Sequence, residues 1–241
     1  MDQAADSPQA AFGASTDSLA ARLAQALDGP GGASCLALHV RESDDVKAAL
    51  AAVRVLGADA LAPAVLRGQA VDEVTAALFA EAFQLFPPAL DEAFGPLDPD
   101  PDTAAVTRWR DWAAGRVAAR VGAATLAVPL PARSPAAGLA WPAWSARIAQ
   151  LAPLALPGLD GPVHRAVRER SLDLARGASR AMLRRDYATA AALGRWIALE
   201  RGDGPLDPAT FLDHLRMFGG AGPRSTLDIR IGLRLLEVRE R

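Results

Sequence analysis

With 241 residues, 51% of them apolar, the chain is long enough to bury a core without covalent or metal staples. Its single cysteine, Cys35, excludes an internal disulfide and any multi-cysteine metal site. The net charge of −2 conceals a division: residues 1–102 carry 5 basic and 16 acidic side chains (−11), and residues 103–241 carry 21 and 12 (+9).

Residues 1–14 read as a disordered lead-in. The opening MDQAADSPQAAFGAS lacks a basic region followed by a long apolar run, so a cytoplasmic location is expected, with a bacterial source suggested by the arginine and alanine preference. No run of about 18 uncharged apolar residues is evident, so no membrane partner is expected. Ser15 or Thr16 caps a helix with Leu19, Leu23, Ala26 and Leu27 on one face, ending at Gly29–Gly32. In ASCLALHVR the apolar residues Leu36, Leu38 and Val40 alternate with Cys35, Ala37 and His39, a period of two that predicts a strand. Its mate by pattern is TLDIRIGLRLLEV, whose Leu227, Ile229, Ile231, Leu233 and Leu235 also alternate. Helix is favoured there by Leu236 and the Arg and Glu content, the alternative being a minor two-stranded β ribbon joining the chain ends.

From Ser43 the signals are helical. Ser43, Asp44 and Asp45 open a helix through Val46, Leu50, Val53 and Leu56 that Gly57 stops, and a short helix follows over Pro63–Arg67. DEVTAALFAEAFQLF offers a wide apolar face of Val74, Leu78, Ala82 and Leu85 flanked by Phe79, Phe83 and Phe86. GPLDPDPD, residues 95–102, is a turn-rich acidic loop ending in a cap for a long helix bearing Val106, Trp109, Ala113, Val117 and Val121. Pro129, Pro131 and Pro135 mark residues 129–138 as a Pro-rich linker between an acidic helical portion, 15–128, and a basic one, 139–241. The expected fold is all-α, a multi-helix bundle or helical array of about ten helices.

Beyond the linker, Trp141–Leu151 is a short helix, and residues 160–204 read as a helical hairpin. Val163, Val167, Ser171, Leu174, Ala178 and Ala181 share one face of its first helix; Arg165, Arg168, Arg176, Arg180 and Arg184 form a stripe on the other. Asp186 caps a second helix that is apolar on both sides, with Trp196 on one of them, and so expected to be covered on both. Asp207 and Pro208 start a well-punctuated helix, closed by Gly219 and Gly220.

No stretch has the residue types and spacing of a known catalytic motif. There is no HxxxH, HExxH or ExxH, Cys35 has no base nearby in sequence, no serine sits in GxSxG, and GPGGAS lacks the lysine of a phosphate loop. No catalytic residue, metal ligand or cofactor is therefore assigned, and enzymatic activity is left open, leaning against. The arginine stripe, with Trp112 and Trp196, has the composition of an interface centre, giving a non-catalytic adaptor or assembly factor that binds a protein partner through the basic hairpin. Interspersed acids and a pI near 5.9 weigh against nucleic acid. The alternative is a helical enzyme or small-molecule binder with an apolar pocket between the two portions, using His164, His214, Asp213 and Arg224.

Overall fold

A computed structural model of the chain describes residues 8–29, 35–88, 101–200, 204–218 and 222–238. The described residues form α-helices and short 3-10 turns with no strand, so the fold is all-α. Helix α1 (Pro8–Asp28) already runs through residues 8–14, where a lead-in is expected; residues 1–7 lie outside the described set. Thr16 does not cap it. Its hydroxyl donates back to Phe12 O at 2.7 Å from within the helix, a bond available to a buried threonine that needs a local acceptor.

The expected strand at residues 35–40 is helix α2 (Cys35–Arg41). Its buried residues are Cys35, Leu36 and His39, the spacing of one helix face, and the small Ala37 between them makes the period-two reading a coincidence of composition. Helix α3 (Val46–Leu56) is capped by Asp45, whose Oδ1 accepts from Ala48 N at 2.9 Å, and ends at Gly57, whose φ of +55° requires glycine. A 3-10 turn (Gly57–Leu61) leads into α4 (Ala62–Arg67). The continuous stretch Val46–Arg67 is long and apolar enough by composition to cross a membrane, although Arg54 and Asp59 interrupt it, and 83% of its most apolar window is buried inside the molecule.

Helix α5 (Glu73–Leu85) buries Thr75, Phe79, Ala82 and Phe83, leaving Val74 and Leu85 of the expected face in solvent. Residues 95–100 of the acidic loop lie outside the described set. Helix α6 (Pro101–Val121) buries the expected stripe from Val106 to Val121. The irregular segment that follows is strapped onto α6: Trp109 Nε1 donates to Arg133 O at 2.8 Å, and Ala136 is buried. Then come α7 (Trp141–Gln150), a 3-10 turn (Ala152–Leu154), α8 (Pro162–Glu169), α9 (Ser171–Leu183), α10 (Tyr187–Glu200), α11 (Pro208–Phe218) and α12 (Pro223–Val238).

Packing runs across the molecule in the order α9, α10, α12, α1, α3, α5, with α6 on the Gly57–Leu61 turn and on α4. The first and last helices are thus neighbours, and one contiguous core passes through both the acidic and the basic portions. The period-two pattern of 227–235 has its explanation here: α12 lies between α10 and α1, so Ile229, Gly232 and Leu236 face one side while Leu227, Ile231 and Leu235 face the other. Helix α10 is likewise buried all round, by α12, α9, α11 and α7 of the same chain.

Candidate functional site

The structure divides the arginine stripe. The first helix of the expected hairpin breaks at Arg170 into α8 and α9. Neither proline nor glycine stands there. The Arg170 side chain donates to Asp173 Oδ2 at 2.9 and 3.0 Å and to Leu139 O at 3.1 Å, and lies 4.4 Å over the Trp144 ring. Arg165 and Arg168 therefore belong to α8 and do not continue the line of Arg176, Arg180 and Arg184 on α9. Arg168 is neutralised within the chain, by Asp160 at 2.9 Å and Glu200 at 3.5 Å; its hydrogen bond holds the Asp160 carboxyl below its ordinary pKa and raises its own. Arg165 is exposed.

Helix α9 differs on its two faces. Inward, Leu174, Ala175, Ala178 and Ala181 are buried, and Gly177 lets the helix approach α7 so closely that a Cβ there would stand 2.4 Å from Ser145 Cβ. Outward, Leu172 (50% exposed) and Leu183 (85% exposed) stand at helical spacing with Arg176 between them. An open groove of about 710 Å³ follows this face, lined by Trp141, Leu172, Ala175, Leu183, Pro205 and Leu206 and edged by Arg176, Arg180 and Arg184. Arg176 makes only a 3.4 Å pair with Asp173, Arg180 lies 5.6 Å from the Trp141 ring centroid, and Arg184 has no carboxylate partner among the described residues. A second open groove of about 500 Å³, on the other side of Arg180 and Arg184, is lined by Ser145, Thr189 and Asp186.

The two tryptophans assigned to the interface are corrected. Trp112 is 6% exposed and meets Trp109 edge-on at 5.5 Å; Trp196 is wholly buried and donates from Nε1 to Ile148 O at 3.0 Å. Both are core residues, because α6 and α10 are covered on the sides that carry them. The four residues of the alternative pocket have different surroundings. His164 is 1% exposed, with Nε2 hydrogen-bonded to Leu154 O at 3.0 Å and its ring edge-on to Trp196, whereas His214 is exposed on α11. Asp213 pairs with Arg216 at 3.1 Å and Arg224 with Asp17 at 3.5 Å. Burial pushes the His164 pKa down, with the bond to Leu154 O opposing, so its ring is neutral at physiological pH. Cys35 is buried and its thiol is pushed up to about 11, outside the nucleophilic range.

Two further features have only faint signals in the sequence. Leu172 and Leu183 fall on the cationic side of the α9 wheel, and an apolar residue out of stripe is the signal that marks them. Arg195 is fully buried in α10, its guanidinium donating to Asp59 Oδ1 at 2.7 Å, Asp228 Oδ1 at 3.0 Å and Ala155 O at 3.1 Å. Burial works against its charge, but the two carboxylates outweigh it. Among the described residues no group of three or more His, Cys, Asp or Glu could hold a metal ion. No protein-family model matches the chain, and no curated protein or solved structure shows significant similarity to it.

Proposed function

We propose that the chain is a non-catalytic adaptor or assembly factor that receives an acidic amphipathic helix of a protein partner in the groove along α9. The observation that carries this reading is the pairing of two exposed leucines with three under-neutralised arginines on a single helix face. Water solvates Arg176, Arg180 and Arg184 well enough alone; Leu172 and Leu183 gain only when something covers them, at about 25 cal/mol per Å² of apolar surface buried. A helix with apolar residues every three to four positions fills such a groove, and carboxylates on its flanks meet the three guanidiniums. The partner's charge follows from complementarity: the groove edge is cationic, so a basic helix would be repelled.

The test uses a fluorescent peptide of about 18 residues with leucines along one helical face and glutamates beside them, titrated with the full chain by anisotropy. Binding is expected with Kd in the tens of micromolar, weakening as salt rises. The double variant Arg180→Glu, Arg184→Glu is expected to weaken it at least tenfold, as is Leu172→Ser with Leu183→Ser, without change in melting temperature. Equal binding of a peptide with lysines in place of the glutamates, or affinity unmoved by both double variants, overturns the proposal.

A further inference from the structure

Three arginines reach into the body of the molecule from α3, α6 and α10, and their partners differ. Arg195 has its two aspartates. Arg54 forms a two-pronged pair with Asp111 at 2.6 and 2.8 Å, donates from Nε to Phe86 O at 2.7 Å and lies 4.6 Å from the Phe83 ring centroid. Asp111 is 1% exposed, so this pair is a fixed floor, with its acceptors and donors matched to each other. Arg110, half-buried one residue before Asp111, has a different situation. It donates from Nη2 to Val55 O at 2.7 Å, capping the last turn of α3, and no carboxylate stands within ion-pair distance of it among the described residues.

Arg110 opens onto a cleft of about 310 Å³ between α3, α6 and the Ala152–Leu154 turn, lined by Arg54, Gly57, Phe86, Thr107, Arg110 and Pro153. A guanidinium has five N–H donors in a planar fork, and one of the five is accounted for. A half-buried cation with no carboxylate within ion-pair distance keeps only part of its hydration, and an anion entering the cleft would supply a compensating charge at contact. We propose that this cleft binds a small organic carboxylate, its anionic end on the Arg110 fork and its apolar body against Phe86 and Pro153.

Charge and size select that class. The cleft carries Arg54 and Arg110 against Asp111, a sum of +1, which suits a monoanion better than a phosphate of higher charge. The flat, paired oxygens of a carboxylate match the fork in the manner of the Arg54–Asp111 pair beside it. A volume near the low end of ligand pockets accommodates a ring or short chain and little more. The direction of the Arg110 pKa accords with the geometry: burial lowers it, with Arg224 and Arg54 adding to the drop and Asp59 and Asp111 opposing.

The experiment titrates the full chain with acetate, butyrate and benzoate, with benzamide as the neutral counterpart of benzoate and with inorganic phosphate, following backbone amide NMR shifts. Benzoate is expected to bind with Kd of about 1 mM, in the range set by so few atoms, and to move amides at 54–57 and 107–111. Benzamide is expected to bind at least tenfold more weakly. Arg110→Gln removes binding and Arg110→Lys restores part of it, while Arg180→Gln on α9 leaves it unchanged. No binding by any of the three carboxylates, equal binding of benzamide, preference for phosphate, or shifts elsewhere overturns the proposal. If Arg110→Gln does not fold, the benzoate and benzamide comparison on the unaltered chain decides alone. This site lies on α3 and α6, away from α9, so its failure and that of the docking groove are read separately.

Discussion

Helices α9 and α10 are consecutive, pack on each other and both carry arginine, yet their arginines live under opposite conditions. On α9, Arg176, Arg180 and Arg184 stand in solvent with one long ion pair and one ring contact among them. On α10, Arg195 has no exposure and three acceptors, at Asp59 in the Gly57–Leu61 turn, Ala155 just past the Ala152–Leu154 turn and Asp228 in α12. Burial is what separates the two. An exposed guanidinium is stabilised by water and free to meet a partner, whereas a buried one persists only because its surroundings supply counter-charge, and it becomes part of what the fold must keep.

The largest effect expected from that contrast is at Arg195. Arg195→Met leaves Asp59 and Asp228 facing each other without a cation, and a loss of about 3–5 kcal/mol, or roughly 10 °C in melting temperature, is expected in thermal circular dichroism. Arg180→Met on α9 should stay within about 0.5 kcal/mol of the unaltered chain. Replacing Arg195, Asp59 and Asp228 together by Met, Leu and Leu should recover most of what Arg195→Met loses, since no charge is then stranded. Similar melting of Arg195→Met and Arg180→Met would erase the distinction between the two helices.

How far these differences could be read from sequence depends on what each pattern encodes. Asp186 and Asp207 were legible as caps because the signal is local, each accepting from the backbone N–H three residues on, whereas Thr16, a cap by pattern, lies inside α1 and bonds back to Phe12 O. The double burial of α10 was legible from its two apolar faces, but not the role of Arg195, whose partners lie 136 and 33 residues away. Alternation misled in α2, where the small Ala37 falls between the buried Cys35, Leu36 and His39 of one helix face; in α12, where helix was favoured, it left a strand as the alternative because a helix covered on two sides also places apolar residues at short intervals. The break at Arg170 left no mark, since neither Pro nor Gly stands there and the contacts Arg170 makes with Trp144 and Leu139 O come from tertiary packing. Of the expected interface, the α9 arginines lie in the groove, while Trp112 and Trp196 do not, because a tryptophan suits a core as well as a contact.

A second, smaller effect sharpens the contrast within α9 itself. Gly177→Ala puts a methyl 2.4 Å from Ser145 Cβ and 3.3 Å from Leu193 Cδ1, so α7 or α9 must shift, at a cost of about 1–3 kcal/mol. Alanine is the better helix former by about 1 kcal/mol, which offsets part of that cost, so the expected outcome is a net loss seen as a lower urea midpoint with unchanged slope. Ser179→Ala, two residues on and toward the groove, should leave the midpoint in place. A stabilised Gly177→Ala would mean that the α7–α9 contact is looser than the inner face of α9 implies.

The smallest effects are in pH dependence, where a partly buried carboxyl and a buried imidazole near α10 act in opposite directions. Burial pushes the Asp228 carboxyl up to about 6, with Arg195 opposing and Asp59 adding to the rise, so the folded chain holds that proton more tightly than the unfolded one. Stability from this group is present at low pH and declines as pH rises from about 4 to 6. His164 behaves conversely: burial keeps it neutral below its ordinary value of 6.5, so its contribution is complete above that pH and is lost on acidification. Each group is limited to about 1.4 kcal/mol per pH unit. Urea midpoints measured from pH 7 to pH 4 should therefore show Asp228→Asn losing ground to the unaltered chain on acidification, and His164→Gln, which keeps a donor for Leu154 O, gaining on it. Two variants diverging in opposite directions would trace the slope to individual residues, and curves that run parallel to the unaltered chain would show that neither burial shifts its group.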